Sequence, residues 1–165
     1  MATKTVLVTG GAGYIGSHAC KALAKAGYEP VVYDNLYRGH REFVKWGPFE
    51  EGDIGNRKRL DAVIALHKPS AVMHFAALAL VSESAKAPLP YYDTNVEGTA
   101  TLATATCAAG INKFIFSGTC AVYGVPDVTP IKEDAILAPI NAYGRSKLMA
   151  ENVLATASAM HNLSH

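Results

Sequence analysis

Short apolar runs alternate along the whole chain with longer stretches whose apolar residues recur at helical spacing. That alternation predicts an α/β domain built on a parallel sheet. Runs rich in β-branched and aromatic residues predict strands over 5–9, 30–33, 48–51, 71–75 and 113–116, and helical periodicity predicts helices over 14–26, 56–65, 91–109 and 142–157. A loop and one further short helix are expected within 78–90. The segment 122–139, with Pro126, Pro130 and Pro139, reads as an irregular excursion over the carboxyl edge of the sheet, where such folds place ligands. Five strands joined in this way would order 3-2-1-4-5 and leave the fifth at an edge.

Composition narrows the picture. A chain of 165 residues, 50% hydrophobic, suffices for one domain with a sizeable core and is short for two. Fifteen basic and fourteen acidic side chains give a net charge of +1 without a long run of either sign, so neither nucleic acid nor membrane is expected as a partner. Arg57-Lys58-Arg59 reads as a solvated helix face. Cys20, Cys107 and Cys120 stand at unrelated spacings, which suits buried thiols in a reducing compartment, and the six histidines show no metal spacing. No apolar run reaches bilayer length, and the start Met1-Ala2-Thr3-Lys4-Thr5 leads into a strand rather than a signal peptide, so a cytoplasmic protein is expected.

The first strand runs into Gly10-Gly11-Ala12-Gly13-Tyr14-Ile15-Gly16 at the start of a predicted helix. Glycines there permit a tight turn and close backbone approach to a pyrophosphate, whose charge the helix amino terminus meets. Asp34 follows at the end of the second strand, where a carboxylate accepts bonds from ribose hydroxyls and repels a 2′-phosphate; it could also simply open the turn Asp34-Asn35-Leu36. Strand, glycine loop, helix and acidic residue together point to a dinucleotide, NAD in preference to NADP. Asp53, after the third strand, could bond an adenine amino group or cap the next helix. His74-Phe75-Ala76-Ala77 ends the fourth strand with small residues that let backbone pass near a cofactor, although a lone histidine there is more often structural.

Tyr143 and Lys147 stand four residues apart on a predicted helix, which stacks them on one face. An ammonium beside a phenol favours its ionised form, and such a phenol can exchange a proton with an alcohol. The spacing alone is common on amphipathic helices, so its weight comes from the nucleotide signature upstream.

The ordered set Val8 to His18, Tyr33-Asp34-Asn35-Leu36, Gly52-Asp53-Ile54, His74-Phe75-Ala76-Ala77, Tyr91 to Val96, Phe116 to Gly124 and Tyr143-Gly144-Arg145-Ser146-Lys147 spans nearly the whole chain. It resembles the amino-terminal part of the extended short-chain dehydrogenase/reductase family, in its branch of sugar-nucleotide 4-epimerases. The resemblance implies a Rossmann-type doubly wound parallel sheet, here incomplete at its carboxyl-terminal side. It implies NAD as cofactor, a UDP-sugar as substrate, and reversible hydride transfer at sugar C4 through a 4-keto intermediate, interconverting UDP-glucose and UDP-galactose.

By the same resemblance Tyr143 would be the catalytic base and acid, and Lys147 would lower its pKa and bind the nicotinamide ribose. Thr119 would bond the reacting sugar oxygen, or cap a turn as strand-end hydroxyls do. Gly10, Gly13 and Gly16 would shape the pyrophosphate loop with backbone contacts from Tyr14 and Ile15. Asp34 and Asn35 would hold the adenosine side, Asp53 and Ile54 would face adenine, Phe75, Ala76 and Ala77 would line the cofactor channel, and Asn95 and Ser117 would complete its polar contacts. Cys120 and Ala121 stand where related dehydratases carry acidic residues, which disfavours dehydration, and Ala79 stands where some members carry a lysine.

The family continues well past a Tyr-x-x-x-Lys helix into a sugar-nucleotide domain, so this chain, with eighteen residues after Lys147, reads as a fragment holding the NAD-binding domain, although a native chain of this length is the alternative. A nucleotide-binding module without turnover and another sugar-nucleotide epimerase or decarboxylase are the competing functions. A homodimer built on the alanine-rich helices over 91–109 and 142–157 is implied, unless those faces only cover the sheet.

Overall fold

The computed structural model describes residues 4–165, so Met1, Ala2 and Thr3 of the chain start lie outside the described residues. Five parallel strands, β1 (Thr5–Thr9), β2 (Glu29–Asp34), β3 (Phe49–Glu51), β4 (Ala71–His74) and β5 (Phe114–Phe116), form one sheet in the order β3-β2-β1-β4-β5. This is the expected order. Thr9 pairs with Tyr33 and with His74, and His74 pairs with Phe116, so the strands end at one level and their following loops gather on the carboxyl edge. Val6, Leu7 and Val8 of β1 and Val31, Val32 and Tyr33 of β2 are all buried, because a parallel sheet is covered on both faces.

Alternate strand residues feed two cores. Leu7, Val31, Tyr33, Val72 and Phe114 pack against α2 (Arg57–His67), α5 (Thr99–Ala108) and α6 (Ala142–His161) through residues such as Leu60, Leu102 and Leu154. Val6, Val8 and Val32 pack on the other face, with Ala12 and with Cys20 of α1 (Tyr14–Lys25). On that second face Ile115 of β5 is 55% exposed. The expected edge position of β5 holds, except that Ser164 meets its start: Phe114 N donates to Ser164 O at 2.8 Å, and Ser164 N donates to Asn112 O at 2.9 Å.

The loop over 78–90 contains α3 (Val81–Lys86) and the start of α4 (Leu89–Tyr92). What reads in the sequence as one helix over 91–109 is α4, a π segment (Asp93–Gly98) and α5 in continuous succession. α6 runs four residues beyond its expected end to a left-handed cap at Asn162, and at its start Asn141 Oδ1 accepts from Gly144 N at 2.8 Å, an ordinary amino-terminal cap. The segment 122–139 is irregular after a 3-10 turn, Cys120–Tyr123. The Arg57–Arg59 cluster is solvated, as expected, but also paired: Arg57 bonds Asp61, and Arg59 bonds Glu50 at 2.6 Å. Of the three thiols only Cys20 is fully buried; Cys120 is exposed, because it lies on the open carboxyl edge.

Candidate functional site

The glycine-rich loop is shaped by contacts that a side chain would destroy. Gly10 has φ +71° and lies so close to the segment that follows β4 that a Cβ there would come within 2.5 Å of Ala76 N; a Cβ at Gly16 would overlap the Gly10 carbonyl. Helix α1 starts at Tyr14 with Gly13 as its cap residue and no side-chain cap. Its first N–H groups, those of Tyr14 and Ile15 included, have no intrahelical acceptor and face the carboxyl edge, a ready anion site. Tyr14 and Ile15 side chains are exposed, in keeping with a backbone role.

Asp34 is buried at the end of β2, where Oδ2 accepts from Ala12 N at 3.0 Å and Oδ1 from Leu36 N at 2.9 Å. It does open the turn, as one reading of the sequence had it. A carboxylate offers about four acceptor positions, so the two backbone bonds leave room for a ribose diol. Asn35 Oδ1 accepts from Tyr37 N, and its amide donates to Asp53 Oδ2 at 2.7 Å. Asp53 Oδ1 accepts from Gly55 N at 2.8 Å, while Asn56 caps α2, so the helix-capping alternative for Asp53 is not what the fold uses. Tyr33, held above its usual range at about 12 by burial, donates to the Asp53 carbonyl at 2.8 Å and fixes this corner.

These residues line one cavity of about 330 Å³. Gly10, Gly13, Asp34, Asn35, Asp53, Ile54, Phe75, Ala76 and Ala77 all border it. Tyr14, Ile15, Gly16, Asn95, Ser117, Thr119, Tyr143 and Lys147 do not. Sequence reasoning missed Tyr37, Arg38, Gly39, Leu78, Pro90 and Thr94 as further lining residues. Gly39 carried a legible signal, a glycine five residues after the acidic strand end; a Cβ on it would sit 2.9 Å from Asp34 Oδ1.

Beyond the cavity, α6 presents Tyr143 and Lys147. Lys147 is 3% exposed, its ammonium lies 3.9 Å over the Phe116 ring, and burial pulls it down to about 8 against the opposing charge of Glu151. Tyr143 is half-buried and packs edge-on against Tyr91, ring centres 6.4 Å apart. Thr119 Oγ1 accepts from Ala121 N at 3.2 Å, so it caps the turn and keeps its own proton free to donate. Gly144 presses α6 onto that turn, since a Cβ there would meet the Ala121 carbonyl at 2.6 Å. Thr119 and the first turn of α6 are thereby brought together.

His74 is structural. The Thr99 hydroxyl donates to the Asn95 carbonyl at 2.6 Å, so His74 Nε2 donates to Thr99 and Nδ1 accepts from Thr9 at 2.7 Å. Burial, with Lys147 adding to it, drops His74 to about 3 and keeps it neutral. Asn95, expected among the cofactor contacts, is buried with its amide engaged inside the protein: Oδ1 accepts from Leu78 N, and Nδ2 donates to Leu78 O and Ser146 Oγ. Ser117 follows β5, its N–H donating to the His74 carbonyl at 3.2 Å.

Parallel sheet, glycine loop and acidic strand end define a Rossmann-type domain, with Tyr143 and Lys147 one turn apart on α6. The chain belongs to the NAD dependent epimerase/dehydratase family, whose profile matches residues 6–165. It is 60% identical over 155 residues to a UDP-glucose 4-epimerase of Rhizobium leguminosarum bv. trifolii, covering 94% of this chain and 47% of that protein. The UDP-glucose 4-epimerase of Brucella ovis, solved in complex with NAD, superposes with a TM-score of 0.96 at 50% identity, covering 98% of this chain and 50% of that one. The UDP-Glc/GlcNAc 4-epimerase of Campylobacter jejuni superposes with a TM-score of 0.93 at 41% identity, over 98% of this chain and 51% of its own. The chain thus spans about half the length of the relatives it matches. Among the described residues no helix is long and apolar enough to cross a membrane, and no cluster of His, Cys, Asp or Glu could hold a metal ion.

Proposed function

We propose that this chain holds NAD and carries the proton-transfer groups of a cytoplasmic UDP-glucose/UDP-galactose 4-epimerase. The observation that carries the reading is the continuity of one edge: Gly10, Asp34 and Ala76 border a single cavity, and Lys147 lies beneath the same edge on the helix that holds Tyr143. The residues fit the cofactor on three counts. Gly10 and Gly16 leave backbone where a Cβ would not fit, α1 offers uncapped N–H groups to a pyrophosphate, and Asp34 keeps acceptor positions for a ribose diol. NAD bound there supplies a reversible hydride acceptor for sugar C4.

The chain's own residues handle the proton and the charge. Tyr143 takes the proton from the sugar 4-hydroxyl as the ketone forms and returns it when the alcohol is restored on either face. Lys147, one helical turn along and shielded from water, supplies positive charge that stabilises the Tyr143 phenolate which accepts this proton and which re-forms when the proton is returned. Thr119, its oxygen engaged by Ala121 N, has a free hydroxyl proton to offer the same sugar oxygen. Asp53 and Asn35 secure the adenosine side, and Ser117 completes the polar lining near the nicotinamide end. The half of the relatives' length that this chain does not span would hold most of the sugar nucleotide.

The partner would be a second copy. Between α5 and α6 runs an apolar groove of about 360 Å³ lined by small residues, among them Ala100, Ala103, Ala157 and Val153, which permit close helix approach. Loss of dimer in sedimentation on Ala157→Arg supports this; an unchanged monomer in wild type contradicts it. The catalytic reading is tested by turnover of UDP-galactose in the polypeptide carrying this chain. Tyr143→Phe should lower it by about 10³-fold with NAD binding retained, and near-normal turnover would refute the assignment.

A further inference from the structure

The cleft carries a cation that the proposed chemistry does not use. Arg38 is the only cationic side chain among the described residues lining the cavity. It lies four residues after Asp34, and its neighbour Gly39 is packed against the Asp34 carboxylate, where a Cβ would be 2.9 Å from Oδ1. His40 N donates to the Ala12 carbonyl at 2.9 Å, so the loop on either side of Arg38 is pinned to the glycine-rich loop and to the ribose-reading carboxylate. A guanidinium in such a place is the group that receives a 2′-phosphate in dinucleotide folds, because its donors match phosphate geometry.

Arg38 is nonetheless already paired. Its Nη2 donates to both carboxylate oxygens of Glu83 on α3, at 2.6 and 2.7 Å, and its guanidinium carbon lies 5.2 Å from the Tyr37 ring centre. The pair joins residues 45 apart in sequence across the rim of the cleft. Both side chains are about half exposed, 52% and 44%, so the pair is weakly held and can be exchanged for another anion.

We propose that Glu83 is a cofactor-selectivity residue: by occupying Arg38 it withholds the one rim guanidinium that could compensate a 2′-phosphate, leaving that phosphate to face Asp34 alone. Selectivity for a free 2′-hydroxyl then has two parts. Asp34 accepts from the diol, and Glu83 masks a phosphate receptor standing beside it. The inference rests on the assignment of this cavity to NAD.

The test is equilibrium binding of NAD and NADP to wild type, Glu83→Ala, Arg38→Ala and the double variant. Glu83→Ala should tighten NADP by about tenfold, the scale of one freed charge-assisted contact at an exposed site, and leave NAD within about twofold. Adding Arg38→Ala should return NADP to its wild-type affinity. An unchanged NADP affinity in Glu83→Ala, or an equal change for both cofactors, overturns the proposal while leaving the cavity assignment standing. Failure of wild type to bind NAD would overturn the cavity assignment, and the proposal with it.

Discussion

The side-chain amide of Asn95 donates a 2.9 Å hydrogen bond to the Ser146 hydroxyl, tying the π segment to α6 at the residue before Lys147. The Ser146 hydroxyl in turn donates to the Tyr143 carbonyl at 2.8 Å, and Asn95 also holds both backbone groups of Leu78. Three pieces of the carboxyl edge therefore share one buried amide. Asn95→Ala would leave the Leu78 N–H and carbonyl without their partner, at a cost of about 1–3 kcal/mol. The expected result is a lower thermal midpoint together with reduced turnover; an unchanged midpoint would show that the amide does not brace the helix.

Lys147 is held in a place that costs the fold stability. A lysine moved from 10.5 to about 8 by burial destabilises the fold at neutral pH by on the order of 3 kcal/mol. Lys147→Met should therefore raise stability by about 2–3 kcal/mol while abolishing turnover. The sign with pH follows from proton counts: between about 8 and 10.5 the unfolded lysine holds more proton than the folded one, so wild type gains stability from this group as pH rises. The gap between wild type and Lys147→Met should close across that window in denaturant titrations.

His74 gives the opposite experimental window. Its folded value, about 3, lies below the ordinary 6.5, so below pH 6.5 the unfolded state takes up a proton that the folded state refuses. Wild type should lose about 1.4 kcal/mol per pH unit from this group as acidity increases through that range. His74→Leu leaves Thr9 and Thr99 without their ring partner, which costs about 1–3 kcal/mol at neutral pH. The variant should show a flatter acid dependence, with its deficit shrinking as pH falls. A constant deficit would mean that His74 is not held neutral.

Gly16→Ala would drive a Cβ into the Gly10 carbonyl. Overpacking of this kind costs about 1–3 kcal/mol, and the loop must move to relieve it. The expected outcome in calorimetry is loss of NAD affinity in a protein that still folds. Retained affinity would show that the loop geometry does not form the pyrophosphate site.

Strand order, glycine loop and the Tyr143-Lys147 helix were legible in the sequence because each follows from local composition: apolar runs, glycines at a turn, and side chains one helical turn apart. The π segment was not, since a helical window gives no sign of an amide such as Asn95 whose partners lie 17 and 51 residues away. Arg38 escaped for the same reason, its partner Glu83 being 45 residues distant. Thr119 and Asp34 each had two readings, and the structure shows the bland one in both: each oxygen accepts from backbone, with capacity left for a ligand. Asp53 does not take its helix-capping reading, because Asn56 caps the helix; the Asp53 carboxylate accepts from Asn35 and borders the cavity.

The most direct measurement is a calorimetric titration of NAD into the folded wild-type chain. The account predicts saturable binding of one NAD per chain, reduced by about tenfold or more in Asp34→Ala, where the ribose acceptor is gone. No binding to a chain shown to be folded, or binding indifferent to Asp34, would contradict it.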